Sequence, residues 1–97
     1  MDTSTSKGRV KLIPPRDFYL AELPDMPPAL GDGWHNGGLC PFHNDHNAGS
    51  FRVNLDTGAF ICFACEAKGL DIIAFTQLRN ELSFPEALLQ LTIEWGL

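Results

Sequence analysis

Four residues of types that commonly ligate metal ions stand in two closely spaced pairs. Two residues separate Cys40 from His43, and two separate Cys62 from Cys65. This spacing lets a tight turn point both side chains at one ion, and thiolates with an imidazole are the ligands of tetrahedral structural zinc. The sequence therefore predicts one structural Zn²⁺ per chain, held by Cys40, His43, Cys62 and Cys65.

The identity of the fourth ligand is the open point of this set. His46 and His35 also lie near the first cysteine in sequence, but His43 is favoured because it completes a Cys-x-x-His turn. Asp45 is expected to orient the imidazole of His43 by accepting a hydrogen bond from it. The set uses all three cysteines of the chain, an odd number that excludes a closed disulfide framework.

Length and composition restrict the remaining possibilities. A chain of 97 residues forms one domain at most. It buries only about 60–65 % of the surface that its unfolded form exposes, so a metal is a useful additional constraint. No apolar run reaches the roughly 18–20 residues of a membrane span, and the first residues lack a signal peptide's apolar stretch. We therefore expect no membrane association, and a cytoplasmic location in which the thiols stay reduced.

The net charge argues against one common mode of nucleic-acid binding. Twelve acidic residues oppose seven basic ones, which gives a formal net charge of −5. Proteins that bind nucleic acid through bulk charge are strongly basic. Any contact with nucleic acid is therefore expected to use a few local side chains and to be weak.

A β-hairpin is predicted between the two cysteine pairs. Residues 50–55 place apolar side chains at every second position, residues 56–58 (Asp-Thr-Gly) are typical of a turn, and residues 59–63 predict a second strand. The register of this hairpin decides which side chains are exposed, because a slip of one residue exchanges the two faces.

Two registers are open. With a three-residue turn, Phe60 shares a face with Arg52 and Asn54 and could form a platform for stacking. With a two-residue turn, Phe60 joins the face of Leu55 and Ile61 lies beside Arg52 instead.

Helices are predicted on both sides of the hairpin. A short helix is expected over residues 17–23, and residues 24–38, rich in proline and glycine, are expected to form a loop. Asp71 is a plausible N-cap for one later helix, and Ser83 with Glu86 forms a capping box that opens the last. Residues 1–13 are expected to be a mobile tail, with an edge strand or a basic arm as alternatives. We divide the chain into an N-terminal tail with a short helix, residues 1–32, and a zinc-binding domain, residues 33–97.

Several segments together resemble the zinc-binding domain of bacterial DnaG-type DNA primases. The similarity covers roughly residues 33–91, and its motifs occur in the family's order. They are Leu39-Cys40-Pro41-Phe42-His43, Ser50-Phe51-Arg52-Val53, Phe60-Ile61-Cys62-Phe63-Ala64-Cys65, Asp71-Ile72-Ile73-Ala74-Phe75 and Leu82-Ser83-Phe84-Pro85-Glu86-Ala87.

The resemblance implies a small α+β fold, a zinc ribbon with a short antiparallel sheet flanked by helices. It also implies a module that binds single-stranded DNA template and supports primer synthesis in DNA replication. The polymerising chemistry would belong to a separate primase catalytic domain or chain, so this chain is not expected to be catalytic alone.

Four residues are the candidates for contact with the template. Arg52 and Lys68 could bind phosphates, Phe60 could stack on a base, and Asn54 lies beside them on the hairpin. Few basic contacts predict weak, salt-sensitive binding. The alternative function is a zinc-stabilised interaction module that docks a replication or DNA-transfer protein without touching DNA.

Overall fold

The computed structural model describes residues 8–28, 31–43 and 49–97, which form a small α+β fold. Residues 8–10 are helical and precede the main elements. These elements are α1 (Pro15–Glu22), β1 (Trp34–Asn36), β2 (Phe51–Asn54), β3 (Phe60–Cys62), β4 (Lys68–Gly69), α2 (Ile72–Asn80) and α3 (Phe84–Glu94). Among the described residues, no helix has the length and apolar character to cross a membrane. The fold class predicted from the sequence is confirmed.

The four strands form one antiparallel sheet in the order β1-β2-β3-β4. The predicted hairpin is present as β2 and β3. The interpretation of residues 24–38 as a loop throughout is wrong at Trp34–Asn36, because this segment pairs with β2. Strands of two or three residues, such as β1 and β4, are too short to show an alternating pattern, and pairing with their neighbours creates them.

The loop of the hairpin fixes the register of β2 against β3. The amide of Asn54 donates to the carbonyl of Ala59 at 2.7 Å, so residues 55–58 form a four-residue loop. With this even number, Val53 faces Phe60 and Arg52 faces Ile61. This pairing is the one expected for a two-residue turn, and it places Phe60 on the inner face of the sheet.

The inner face carries an aromatic cluster at the centre of the core. The rings of Phe42, Phe51, Phe60 and Phe75 have centroids 5.3–6.5 Å apart, within the range of favourable aromatic pairs. Phe42 lies between the first two predicted ligands in sequence, and its ring therefore packs against residues of β2, β3 and α2. Folding the core brings the metal-binding turns together.

The N-terminal segment packs against the same core. Val10 and Ile13 are buried, as are Phe18 and Tyr19 on α1. The hydroxyl of Tyr19 donates to the carbonyl of Gly58 in the hairpin loop at 2.5 Å. The prediction of a mobile tail is wrong for residues 8–13, because apolar side chains spaced three apart bury against the core; residues 1–7 lie outside the described part of the chain.

The predicted caps of the last two helices are confirmed. Asp71 accepts a hydrogen bond from the amide of Ala74 at 2.8 Å. Ser83 and Glu86 exchange side-chain-to-backbone hydrogen bonds of 2.9 and 3.2 Å, a complete capping box. At its other end α3 stops where Gly96 adopts a φ of +66°, a conformation that glycine allows at little cost.

The capping box offers a direct test of how α3 begins. We expect Ser83→Ala to lower the free energy of unfolding by about 1 kcal/mol, because one amide of the first turn loses its partner. Ser83→Asp keeps an accepting oxygen and should retain most of the stability. Urea denaturation of the zinc-loaded variants measures both, and equal stability of the alanine and aspartate variants would contradict the prediction.

Candidate metal centre and nucleic-acid interface

The first metal-binding turn follows β1. Cys40 is buried and His43 is half-buried at the two ends of a turn over residues 41–43. Gly38, two residues before the cysteine, has a φ of +81°, and a Cβ on it would lie 2.6 Å from the carbonyl oxygen of Asp25. Glycine is therefore required at position 38, where the backbone passes close to Asp25 just before the metal-binding turn.

The second metal-binding turn is continuous with the sheet. Cys62 is the last residue of β3, and residues 63–65 turn the chain towards β4. The turn closes when the amide of Glu66 donates to the carbonyl of Cys62 at 2.9 Å, and the amide of Cys62 donates to the carbonyl of Ala67 at 2.8 Å. The position of Cys62 and Cys65 is thus set by the ladder of the sheet.

Folding brings the four predicted ligands into one cluster. The ligand atoms of Cys40, His43, Cys62 and Cys65 all lie within 4.8 Å of one another. The Sγ atoms of Cys40 and Cys65 are 3.8 Å apart. Two thiolates on one tetrahedral zinc, each with a Zn–S bond of about 2.3 Å, are separated by about 3.8 Å. A disulfide would need about 2.05 Å, so this geometry fits a metal and not a covalent bridge.

Backbone amides support the charge of the thiolates. The amide of Phe42 approaches the Sγ of Cys40 at 3.4 Å. Burial raises the pKa of the Cys40 thiol to about 12, although this amide opposes the rise. At Cys62 burial also acts to raise the pKa, but the amides of Cys65 and Ala64, together with the hydrogen bonds from the thiols of Cys40 and Cys65, lower the pKa below its usual value. A cation is needed to hold Cys40 as a thiolate, so metal binding releases a proton from this thiol.

Of the two alternative ligands, His35 is described by the structure and does not enter this cluster. Nε2 of His35 lies 3.1 Å from the carbonyl oxygen of Asp32, and the ring belongs to β1 rather than to a metal-binding turn. His46 and Asp45 lie outside the described residues, so the proposed hydrogen bond from His43 to Asp45 stays a prediction. Cys40, His43, Cys62 and Cys65 are positioned to hold one zinc ion.

The outer face of the sheet carries three of the four residues proposed to contact DNA. Arg52 on β2 and Lys68 on β4 are exposed and lie on either side of Ile61 on β3. Asn54 is half-buried, and its Oδ1 accepts hydrogen bonds from the amides of Asp56 and Thr57 at 2.9 and 3.0 Å. This oxygen is engaged in shaping the hairpin loop.

Phe60 cannot form the exposed stacking platform that one of the two registers predicted. Its side chain is 1 % exposed and belongs to the aromatic cluster of the core. The four-residue loop of the hairpin is the physical reason, because it turns Ile61 to the outer face of the sheet and Phe60 to the inner face. The prediction that Phe60 stacks on a base is therefore wrong.

Three exposed apolar side chains that the sequence analysis did not assign to DNA lie around the two basic residues. Trp34 is 52 % exposed, Phe63 is 68 % exposed and Leu70 is 85 % exposed. With Arg52, Ile61 and Lys68 they line a surface depression of about 730 Å³. Phe63 lies two residues after Ile61, so once the register is known the alternation of the strand predicts that Phe63 is on the outer face. No sequence pattern predicted the position of Trp34, because β1 was not predicted.

An antiparallel sheet with two metal-binding turns and four protein ligands defines a zinc-ribbon domain. Four ligands complete the tetrahedron of zinc and leave no coordination position for a reacting water, which is the pattern of a structural site. The CHC2 zinc finger family of DnaG-type primases matches residues 31–97. The chain belongs to this family.

Individual relatives agree with the family assignment. The DNA primase of Deinococcus radiodurans is 42 % identical over 60 residues, which cover 62 % of this chain and 10 % of that protein. The DNA primase of Mycobacterium leprae is 48 % identical over 50 residues, which cover 52 % of this chain and 8 % of that protein. The chain thus spans about a tenth of the length of these curated relatives.

A solved structure has the same fold. The crystal structure of the Aquifex aeolicus primase, containing its zinc-binding and RNA polymerase domains, superposes with a TM-score of 0.72 and 29 % sequence identity. The match covers 99 % of this chain and 22 % of the Aquifex chain.

Proposed function

We propose that this chain is the zinc-binding module of a primase system, which binds single-stranded DNA template on the outer face of its sheet. The observation that carries the proposal is the arrangement on this face, where Arg52 and Lys68 stand among exposed apolar side chains. Proteins that bind single strands combine cations for the phosphates with aromatic side chains for the bases. The family assignment supports the same substrate, and a replication module of this kind would act in the cytoplasm.

The net charge of −5 limits the mode of binding. Two basic residues on the outer face cannot match the charge density of a duplex, and acidic residues elsewhere repel it. Local contacts to a flexible single strand are compatible with this balance. We therefore propose weak and salt-sensitive binding that is restricted to single strands.

The two basic residues give the first test of DNA binding. We expect Arg52→Ala and Lys68→Ala each to weaken the affinity for a short single-stranded oligonucleotide. Each should also reduce the slope of log K against log salt by about 0.7, because one phosphate contact is lost. Fluorescence anisotropy over a salt series measures both quantities.

The matched control is Arg9→Ala, which removes the same charge from an exposed position outside the sheet. It should leave the slope unchanged. Zinc content and circular dichroism verify that all variants are folded. Absence of binding by the unmodified protein even at low salt would overturn the DNA-binding part of the proposal.

Primer synthesis itself is proposed to come from a separate catalytic domain or chain. Among the described residues, Cys40, His43, Cys62 and Cys65 are the one cluster of side chains that could hold a metal ion. Polymerising active sites hold Mg²⁺ through carboxylates. We expect this chain alone to make no primer in a template-directed assay. Detectable synthesis by the purified chain would contradict this proposal.

Protein docking is the second candidate function, and the outer side of α3 favours it. Leu89 and Ile93 are exposed one helical turn apart, and residues 80–97 contain three glutamates and no lysine or arginine. This surface suits a partner whose apolar patch is rimmed by basic residues, and we propose the catalytic domain as that partner. Binding of a purified primase catalytic domain that survives nuclease treatment and is lost in Ile93→Glu would support it. Equal binding by the variant would refute it.

A further inference from the structure

The depression on the outer face of the sheet has an apolar floor and an apolar rim. Ala59 and Ile61 form part of its floor, and Trp34, Phe63 and Leu70 rise around it. These rim side chains are among the exposed large hydrophobic residues of the described chain. An apolar surface of this kind remains in contact with water unless a ligand covers it.

The register of the sheet explains why the surface is concave. Trp34 faces Asn54, the amide of Asn54 bonds to Ala59, and Gly69 faces Phe60, so Leu70 follows beside Ala59. This row continues the register one residue beyond β3 and β4, where Ala59 and Leu70 lie, and its ends are about 14 Å apart at a strand spacing of about 4.8 Å. The large side chains of Trp34 and Leu70 lie at the ends of the row, and the smaller side chains of Asn54 and Ala59 lie between them.

The neighbouring row of residues carries the charge. It places Arg52 and Lys68 on the two sides of Ile61, with Cα atoms about 10 Å apart across two strand spacings. Both side chains are exposed and line the same depression. Two cations therefore border an apolar hollow, so the ligand that fits has a flat apolar part and an adjoining anionic group.

We infer that this depression is a subsite for one unpaired nucleotide, with its base between Trp34 and Leu70 and its phosphate between Arg52 and Lys68. The inference rests on the proposed function and deepens it, because it names the part of the single strand that is recognised. A paired base hides both of its faces in the stack of a duplex, so only an unpaired base can bury them against this floor. Burial of the base, rather than the number of phosphates, supplies most of the affinity.

A comparison of oligonucleotides with the same charge separates these contributions. The probes are fluorescein-labelled oligothymidylate and an abasic strand of equal length, measured by anisotropy at low salt. We expect the abasic strand to bind about 5- to 100-fold more weakly, since stacking on an aromatic side chain has this magnitude. Trp34→Ala should remove most of the difference, and Trp34→Phe should restore much of it.

Leucine variants provide a matched control. Leu70→Ala should weaken binding of oligothymidylate, whereas Leu12→Ala, at an exposed leucine outside the depression, should not. Tryptophan emission gives a second readout, because stacking on Trp34 quenches its fluorescence. Trp34→Phe leaves Trp95, whose ring packs near Phe18, and should abolish the quenching.

The outcomes distinguish the subsite from the proposed function. Equal binding of the abasic strand and oligothymidylate would overturn the subsite and leave phosphate binding by the module intact. Failure of both probes to bind at low salt would overturn the proposed function itself. Thymidine triphosphate is a further probe. Trp34-dependent quenching by this free nucleotide would support the subsite and identify mononucleotides as a second source of the same ligand chemistry.

Discussion

Replacement of His43 by alanine is expected to release zinc and unfold the domain at ambient temperature. Zinc binding by small peptides contributes about 10–16 kcal/mol at neutral pH, and the whole stability of a domain is about 5–15 kcal/mol. Loss of one ligand from a site that joins two turns removes most of this free energy. Since the turn of Cys62 and Cys65 continues β3, the loss should extend to the sheet.

His35→Ala is the matched control for this replacement. Its ring lies on β1, outside the four-residue cluster, so we expect the variant to keep one zinc per chain and its melting temperature. His46→Ala tests the remaining alternative ligand. Metal analysis with circular dichroism during heating measures all three variants. A His43 variant that binds zinc as tightly as the parent would contradict the assignment.

Chelation gives the same test without a mutation. The unmodified protein treated with a strong chelator at neutral pH should lose its cooperative thermal transition and regain it when zinc is restored. A chelated protein with unchanged fold and melting temperature would show that the core is stable without the ion.

The second large effect is expected at Phe60. Phe60→Ala should lower the free energy of unfolding by about 3–5 kcal/mol, the usual cost of removing a buried phenylalanine. The ring contacts three other phenylalanines, and it also lies where a Cβ on Gly69 would meet it at 2.5 Å. Because β4 packs directly against the Phe60 ring at Gly69, the cavity that Phe60→Ala leaves can be filled only if β4 moves.

Phe63→Ala is the control for Phe60→Ala. Phe63 follows the same strand but is 68 % exposed, so its truncation should change the stability by no more than about 0.5 kcal/mol. Urea denaturation of the zinc-loaded proteins measures both. Equal destabilisation by the two substitutions would contradict the observed register, because that register alone separates a core residue from a surface residue.

The two phenylalanines also separate stability from binding. We expect Phe63→Ala to weaken the affinity for single-stranded DNA, since Phe63 lines the depression, while the variant remains folded. The effect of Phe60→Ala on binding should follow its loss of structure.

The sequence by itself determined the metal centre, the hairpin and the caps of the last two helices. Each metal-binding turn and each helix cap depends on residues within about four positions of one another, so the side-chain types and their spacing state the local geometry directly. A Cys-x-x-His turn, a Cys-x-x-Cys turn and a Ser–Glu capping box are local structures of this kind. The hairpin follows from the alternating pattern of two strands around a turn, and the pairing of the two metal-binding turns follows from the four ligands that one zinc ion requires.

Only the tertiary structure decided which face of the hairpin meets the core. The loop at residues 55–58 contains an even number of residues, and this places Phe60 on the inner face of the sheet and Ile61 on the outer face. The tertiary structure also decided that Trp34 belongs to the sheet and that Val10 and Ile13 belong to the core. These features arise from contacts between distant segments, whose free energy no short stretch of sequence contains, so they form only when the whole chain packs.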